Sequence, residues 1–134
     1  MKRVYIETLG CQMNKSDTER MLGMLECLGY EEVTELKGSK SADLLIINTC
    51  SIRQLSEDKA YSRMGLWGKW KRKSRPDLKI AMCGCVAQQA QKNVFERMPF
   101  VDLVFGPHNL YELPELIKRI ENGEKVCATD EVTL

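Results

Sequence analysis

Residues 44–50 of this 134-residue chain read LLIINTC, and this short stretch decides the fold class. Leu44 to Asn48 is an almost wholly apolar run, in which polar and apolar side chains do not alternate. Such a run is typical of a strand in a parallel sheet, because helices cover both faces of that sheet. Working outward, the sequence predicts two further strands, VYIETL at 4–9 and KIAMC at 79–83.

Helical patterns separate these strands and follow the last of them. One helix is predicted from the capping box at Ser16–Glu19 to Gly29, and the last one has Pro114 in its first turn. The other predicted elements are helices over 51–72 and 89–98 and short strands over 30–33 and 102–105. Strands that alternate with helices predict an α/β fold, a mainly parallel sheet of about five strands with helices on both faces.

The composition bounds the class of protein. Hydrophobic residues make up 43% of the chain, charged residues 29%, and the net charge is +1, so the overall charge does not indicate a nucleic-acid or membrane partner. The opening MKRVYIETLG lacks the apolar segment of a secretory signal, and no apolar run reaches the roughly 18 residues of a membrane-spanning helix. We therefore expect a cytoplasmic protein.

Three of the six cysteines follow predicted strands. Cys11 comes after the first strand, Cys50 after LLIIN and Cys85 after KIAMC. The connections from strand to helix in a parallel sheet all emerge at its carboxyl edge, where ligands bind. We therefore expect these cysteine loops to converge at the carboxyl edge of the sheet. The other cysteines lie in the first helix, within a strand and in the tail: Cys27, Cys83 and Cys127.

The placement alone leaves the chemistry of the three loop cysteines open. Redox thiols, zinc ligands, an iron–sulfur cluster and chance all fit it, whereas disulfides are not expected in a cytoplasmic chain. Zinc needs a fourth ligand, and His108 is a candidate because it too follows a strand, although a loop or capping role also fits it. A nucleotide-binding module is disfavoured, because the chain holds neither a GxGxxG nor a GxxxxGKS or GxxxxGKT sequence.

A basic run from Lys69 to Lys79 is the one anomaly of composition. It holds six lysines and arginines against Asp77 alone. The run fits a solvated helix end, where cations suit the negative pole of the helix dipole. A contact with RNA phosphates is the alternative interpretation.

The segments around the three cysteines read GCQMN at 10–14, NTCSIR at 48–53 and GCVAQ at 84–88. In this order they resemble the three signature segments of the amino-terminal domain of the tRNA methylthiotransferases. Three further segments agree, so the resemblance covers nearly the whole chain: DTER at 17–20, KAYSR at 59–63 and VDLVFG at 101–106. The Gln12-Met13 pair resembles the branch that methylthiolates N6-isopentenyladenosine in tRNA more than the branch that acts on a ribosomal protein.

The resemblance implies a cofactor and its ligands. Cys11, Cys50 and Cys85 would bind an auxiliary [4Fe–4S] cluster and leave one iron without a protein ligand, to carry the inserted sulfur. Cys83 falls at a position that the signature does not require. Three polar neighbours are candidates for hydrogen bonds to cluster sulfurs, or for turn and capping work: Asn14, Asn48 and Gln88.

The full enzymes implied by the resemblance also carry a radical S-adenosylmethionine domain with a second [4Fe–4S] cluster, and a TRAM domain that binds RNA. The CxxxCxxC triplet of that second cluster does not occur in this chain. We therefore expect residues 1–122 to form the amino-terminal domain and residues 123–134 to be a tail or linker toward the radical domain. The isolated chain is predicted to be inactive, with tRNA as the substrate of the whole enzyme and no membrane partner. A structural zinc-binding module remains the alternative.

Overall fold

The computed structural model describes residues 2–10, 12–50 and 54–129, with residues 54–57 described by their backbone only. The strands are β1 (Lys2–Thr8), β2 (Tyr30–Glu32), β3 (Leu44–Thr49), β4 (Lys79–Gly84), β5 (Leu103–Phe105) and β6 (Val126–Ala128). The helices are α1 (Gln12–Cys27), α2 (Gln54–Lys73), α3 (Cys85–Ala90), α4 (Asn93–Arg97) and α5 (Leu113–Glu121), and a 3-10 helix spans Pro107–Glu112.

The strands form one parallel sheet in the order β2-β1-β3-β4-β5-β6. The predicted α/β class is confirmed, and the sheet has six strands because part of the tail adds β6 at one edge. The order is flavodoxin-like, and the direction in which strands are added reverses between β1 and β3. Such a reversal opens a crevice at the carboxyl ends of the two strands, although it says nothing about which ligand fills the crevice.

The helices divide between the two faces of the sheet. Met21 and Leu25 of α1 pack with the apolar side of α5 on one face. Met64 and Trp67 of α2 pack with α3 and α4 on the other face. All six residues of β3 are buried, as the apolar run LLIIN predicts for a strand covered on both sides. The chain therefore leaves β1 for one face and β3 for the other.

Two predicted helix boundaries are wrong. Helix α1 begins at Gln12 rather than at the capping box near Ser16, because Asn14 forms hydrogen bonds with the end of β3 that fix an earlier first turn. The helix predicted over 89–98 is two short helices, separated at Gln91, whose φ of 50° cannot continue a helix. The prediction that α2 starts near Ser51 concerns residues 51–53, which lie outside the described ones.

Candidate cysteine site at the carboxyl edge of the sheet

Two of the three predicted ligands lie at the carboxyl ends of adjacent strands. Thr49 of β3 pairs with Gly84 of β4, so Cys50 and Cys85 each stand one residue beyond a paired position. The Cys50 side chain is buried and that of Cys85, the first residue of α3, is exposed; neither forms a disulfide with a described residue. Cys11 lies outside the described residues, so its position relative to the other two stays a prediction.

The loop that follows β1 also comes to Cys50. Gly10, the residue before Cys11, has a φ of 123°, which a side chain would strain. A Cβ on Gly10 would overlap the Cys50 Cβ and would lie 3.2 Å from its Sγ. The backbone of this loop therefore comes so close to the Cys50 side chain that only glycine fits at position 10. Leu9, in the same loop, donates its backbone N–H to the Asn48 carbonyl oxygen at 2.9 Å.

The turn from β4 to α3 is equally close to the end of β3. Gly84 has a φ of 93°, and a Cβ there would overlap the Thr49 carbonyl oxygen and lie 2.8 Å from the Thr49 nitrogen. A substitution at this position therefore combines backbone strain with a backbone clash. This turn places Cys85 at the start of a helix and beside the Cys50 loop.

The hydroxyl of Thr49 joins the two turns. It donates a hydrogen bond to the Cys83 carbonyl oxygen at 2.6 Å and accepts one from the Val86 N–H at 3.1 Å. Thr49 is fully buried, and Val86 N–H belongs to the first turn of α3, where backbone donors have no partner within the helix. The residue before Cys50 thus holds the residues on both sides of the Gly84-Cys85 turn.

Two asparagines join the first turn of α1 to the end of β3. Asn14 Nδ2 donates to the Thr49 carbonyl oxygen at 2.7 Å and to Asn48 Oδ1 at 3.2 Å. Asn48 Nδ2 donates back to the Asn14 carbonyl oxygen at 2.8 Å and to Thr18 Oγ1 at 3.1 Å. Both amide groups therefore perform the turn and capping work considered from the sequence. Thr49 was missed, because a threonine at the end of an apolar strand carries no signal of its own.

Gln88, one turn after Cys85, contacts the sheet edge rather than the cysteines. Its Nε2 donates to the Thr129 carbonyl oxygen at 2.9 Å, and its side chain lies against Gly106 at the end of β5. Its buried Oε1 has no hydrogen-bond partner among the described residues. Gln88 thus connects α3 to the residues that follow β5 and β6.

The remaining cysteines lie away from this edge or face the core. Cys83 is buried in β4 with its Sγ 3.9 Å from Met21 Sδ, and burial raises the pKa of its thiol well above the usual range. Cys27 ends α1 at the opposite edge, and Cys127 lies in β6, two strands from β4. A protonated thiol is a poor metal ligand, so Cys83 differs in character from Cys85 although only Gly84 separates them.

His108 is exposed in the 3-10 helix after β5. Within residues 2–10, 12–50 and 58–129, no three side chains of histidine, cysteine, aspartate or glutamate are close enough to hold a metal ion. That set contains Cys50 and Cys85 but not Cys11. His108 therefore forms no metal site with described residues.

These features define a class: a flavodoxin-like parallel α/β domain that carries cysteine-bearing turns at the carboxyl edge of its central strands. The sequence profile described as "Uncharacterized protein family UPF0004" matches residues 3–106. The chain belongs to this family.

Two bacterial relatives of this chain bear the same name. Over 129 residues, 96% of its length, the chain is 46% identical to a "tRNA-2-methylthio-N(6)-dimethylallyladenosine synthase" from Geobacter metallireducens, of which the match covers 28%. Over 125 residues, 93% of its length, it is 44% identical to a protein of the same name from Haemophilus ducreyi, with 26% of that protein covered. The resemblance to the methylthiotransferase amino-terminal domain is thus confirmed, and the chain spans about a quarter of the relatives' length. No described helix is long and apolar enough to cross a bilayer.

Proposed function

We propose that this chain is the amino-terminal, cluster-holding part of an enzyme that methylthiolates N6-isopentenyladenosine in tRNA. The relatives that match it over 93–96% of its length carry the name of a synthase for that modified nucleoside. The transferase activity, the tRNA substrate and a cytoplasmic location are proposed for the whole enzyme, of which this chain corresponds to about a quarter.

The cofactor proposed for this part is a [4Fe–4S] cluster on Cys11, Cys50 and Cys85. The observation that carries it is the convergence of turns, since Cys50 and Cys85 follow paired residues of adjacent strands and Gly10 contacts the Cys50 side chain. The donor set fits this group, because thiolates are the usual protein ligands of iron–sulfur clusters. Three thiolates would leave one iron without a protein ligand, and when bound, the cluster would supply that iron as the carrier of the inserted sulfur.

The residues around the cysteines prepare the site. Gly10 brings backbone rather than a side chain against Cys50, and Gly84 does the same against Thr49. Thr49 and Asn14 hold the loops by hydrogen bonds that are complete within the protein. The backbone positions of Cys50 and Cys85 are therefore set largely by the sheet, which supports a site that exists before any cofactor binds.

The missing three quarters of the relatives' length leaves room for the other components that we propose. These are a radical S-adenosylmethionine domain with its own [4Fe–4S] cluster and a TRAM domain, with residues 123–134, which include β6, leading toward them. The isolated chain is accordingly expected not to cleave S-adenosylmethionine or modify tRNA, which an assay of 5′-deoxyadenosine formation checks. Turnover by this chain alone would contradict the proposed division of labour.

Anaerobic reconstitution with iron and sulfide, followed by iron, sulfide and zinc analysis, tests the cofactor. We expect a brown protein with about four iron and four sulfide ions per chain. Alanine at Cys11, Cys50 or Cys85 should abolish most of that content. The same substitution at Cys27 and at Cys127 is the matched control and should leave it unchanged. Stoichiometric zinc that resists replacement by iron would instead indicate a structural zinc module.

A further inference from the structure

A charged surface lies at the amino edge of the sheet, opposite the cysteine turns. It consists of exposed cations from three segments that the chain brings together there. We call it the amino-edge surface: Arg3, Lys37, Lys40, Lys69, Arg72 and Lys73.

Direct contacts join these segments. The loop before β3 meets the end of α2 where Ser39 Oγ lies 3.2 Å from Ser74 Oγ and Arg75 Nη1 donates to the Ser39 carbonyl oxygen at 2.8 Å. The start of β1 meets the same loop, because Arg3 Nη2 donates to the Lys40 carbonyl oxygen at 2.9 Å. Residues from far apart in sequence therefore present their charges on one continuous surface.

Three of the neighbouring acidic side chains are already occupied. Arg75 pairs with Asp77 at 2.9 Å and with Asp43 at 3.0 Å, and Lys71 pairs with Asp102 at 2.7 Å. Among the described residues, none of the six cations of the amino-edge surface forms an ion pair.

The charge is also concentrated in sequence. Residues 34–43 and 69–79 hold eight basic and three acidic side chains, whereas the rest of the chain holds twelve basic and sixteen acidic ones. A net charge of +1 thus conceals a strongly positive edge on an otherwise acidic molecule. Such a local field attracts polyanions even when the overall charge is close to zero.

We propose that the amino-edge surface binds the phosphate backbone of RNA. The choice of RNA rests on the function proposed above, and the surface itself is argued from its charge and unpaired cations. It lies about 20 Å from the cysteine turns, since six strand residues separate the two edges. The surface therefore contacts RNA remote from the nucleotide that reacts, and it positions the substrate without reading its sequence.

Salt-dependent binding of unmodified tRNA transcript to the chain tests this. The double variant Lys40→Gln with Lys73→Gln removes two cations from the surface. The matched control, Lys92→Gln with Lys118→Gln, removes two exposed lysines elsewhere. Each phosphate contact contributes about 0.7–0.9 to the slope of log affinity against log salt, so the first variant should lower the slope by about 1.4–1.8. If the two proteins bind tRNA equally at 1 M salt, this difference in slope corresponds to about a 25- to 60-fold lower affinity of the variant at 0.1 M salt. The affinity of the control variant should change little.

The proposal would be overturned if the chain without substitutions did not bind tRNA, or if both double variants lost the same affinity for tRNA. It would also be overturned if polyglutamate displaced labelled tRNA as effectively as unlabelled tRNA does, which would indicate an acidic protein partner. Iron and sulfide content after reconstitution, measured on the same variants, separates this proposal from the proposed function. Normal cluster content with a lost salt slope supports the surface. If the chain binds RNA through these lysines but takes up no iron, the cluster proposal is refuted and the RNA-binding surface stands.

Discussion

Replacing Thr49 with valine tests whether its hydroxyl holds the two cysteine-bearing turns together. Valine keeps the shape of the side chain, but the buried Val86 N–H and Cys83 carbonyl oxygen both lose the partner described above. A buried polar group without a partner costs about 1–3 kcal/mol, and less for a carbonyl that has a second lone pair. We expect Thr49→Val to lower the free energy of unfolding by about 2–4 kcal/mol. Thr49→Ser keeps the hydroxyl and removes one buried methyl group, at about 1 kcal/mol.

Urea unfolding of the two variants, under reducing conditions and without iron, measures this difference. The midpoints should separate while the dependence on urea concentration stays the same, because the surface exposed on unfolding does not change. Hydrogen exchange adds a local measurement, since the Val86 amide should lose protection in Thr49→Val and keep it in Thr49→Ser. Equal midpoints for valine and serine, with equal protection of Val86, would refute the role assigned to the hydroxyl.

Three other predictions concern glycine, cysteine and tyrosine positions. Gly84→Ala should lower the free energy of unfolding by about 2 kcal/mol more than Gly29→Ala does. Both glycines have a φ near 90°, but only at Gly84 would the new Cβ clash with backbone atoms, those of Thr49. Equal losses of stability would refute the close approach of the two strand ends. Cys83→Ala should keep iron and sulfide after reconstitution and lose about 1 kcal/mol of stability, and a loss as complete as that of Cys85→Ala would indicate a four-cysteine site instead. Burial and the neighbouring Glu121 raise the pKa of Tyr30 in the folded state, so the contribution of Tyr30 to stability should be constant below pH 10 and fall above it as the unfolded tyrosine ionises. Tyr30→Phe should flatten that alkaline slope in denaturant titrations at several pH values, and an unchanged slope would contradict the assignment.

The sheet could be predicted because the amino-acid composition of its central strands indicates that both of their faces are buried. A run such as LLIIN is stable only where both faces are covered, so Leu44–Asn48 indicated a parallel sheet without knowledge of its neighbours. The places of Cys50 and Cys85 followed from the same logic, since every turn after a parallel strand emerges at the carboxyl edge. The order of strands and turns in the sequence therefore predicts at which edge of the sheet a turn residue lies.

The missed features depend on contacts between distant residues. The capping box at Ser16 is a local signal, and the hydrogen bonds of Asn14 to β3, 34 and 35 residues away in sequence, override it. The break at Gln91 lets Val86 of α3 and Val94 of α4 both pack on the same face of the sheet, which a single straight helix pattern did not predict. The bridging role of Thr49 required the pairing of β3 with β4 to be known first.

The direction of β6 has a consequence for how further protein is attached. Because β6 runs parallel to the other strands, the backbone leaves it on the cysteine side of the sheet, about 10 Å from the end of β4. The backbone after Ala128 therefore starts on the same side of the sheet as Cys50 and Cys85. A short flexible tether would hold the radical domain proposed above near these cysteines at an effective concentration of the order of millimolar. A longer tether would lower that effective concentration without changing any contact within the protein.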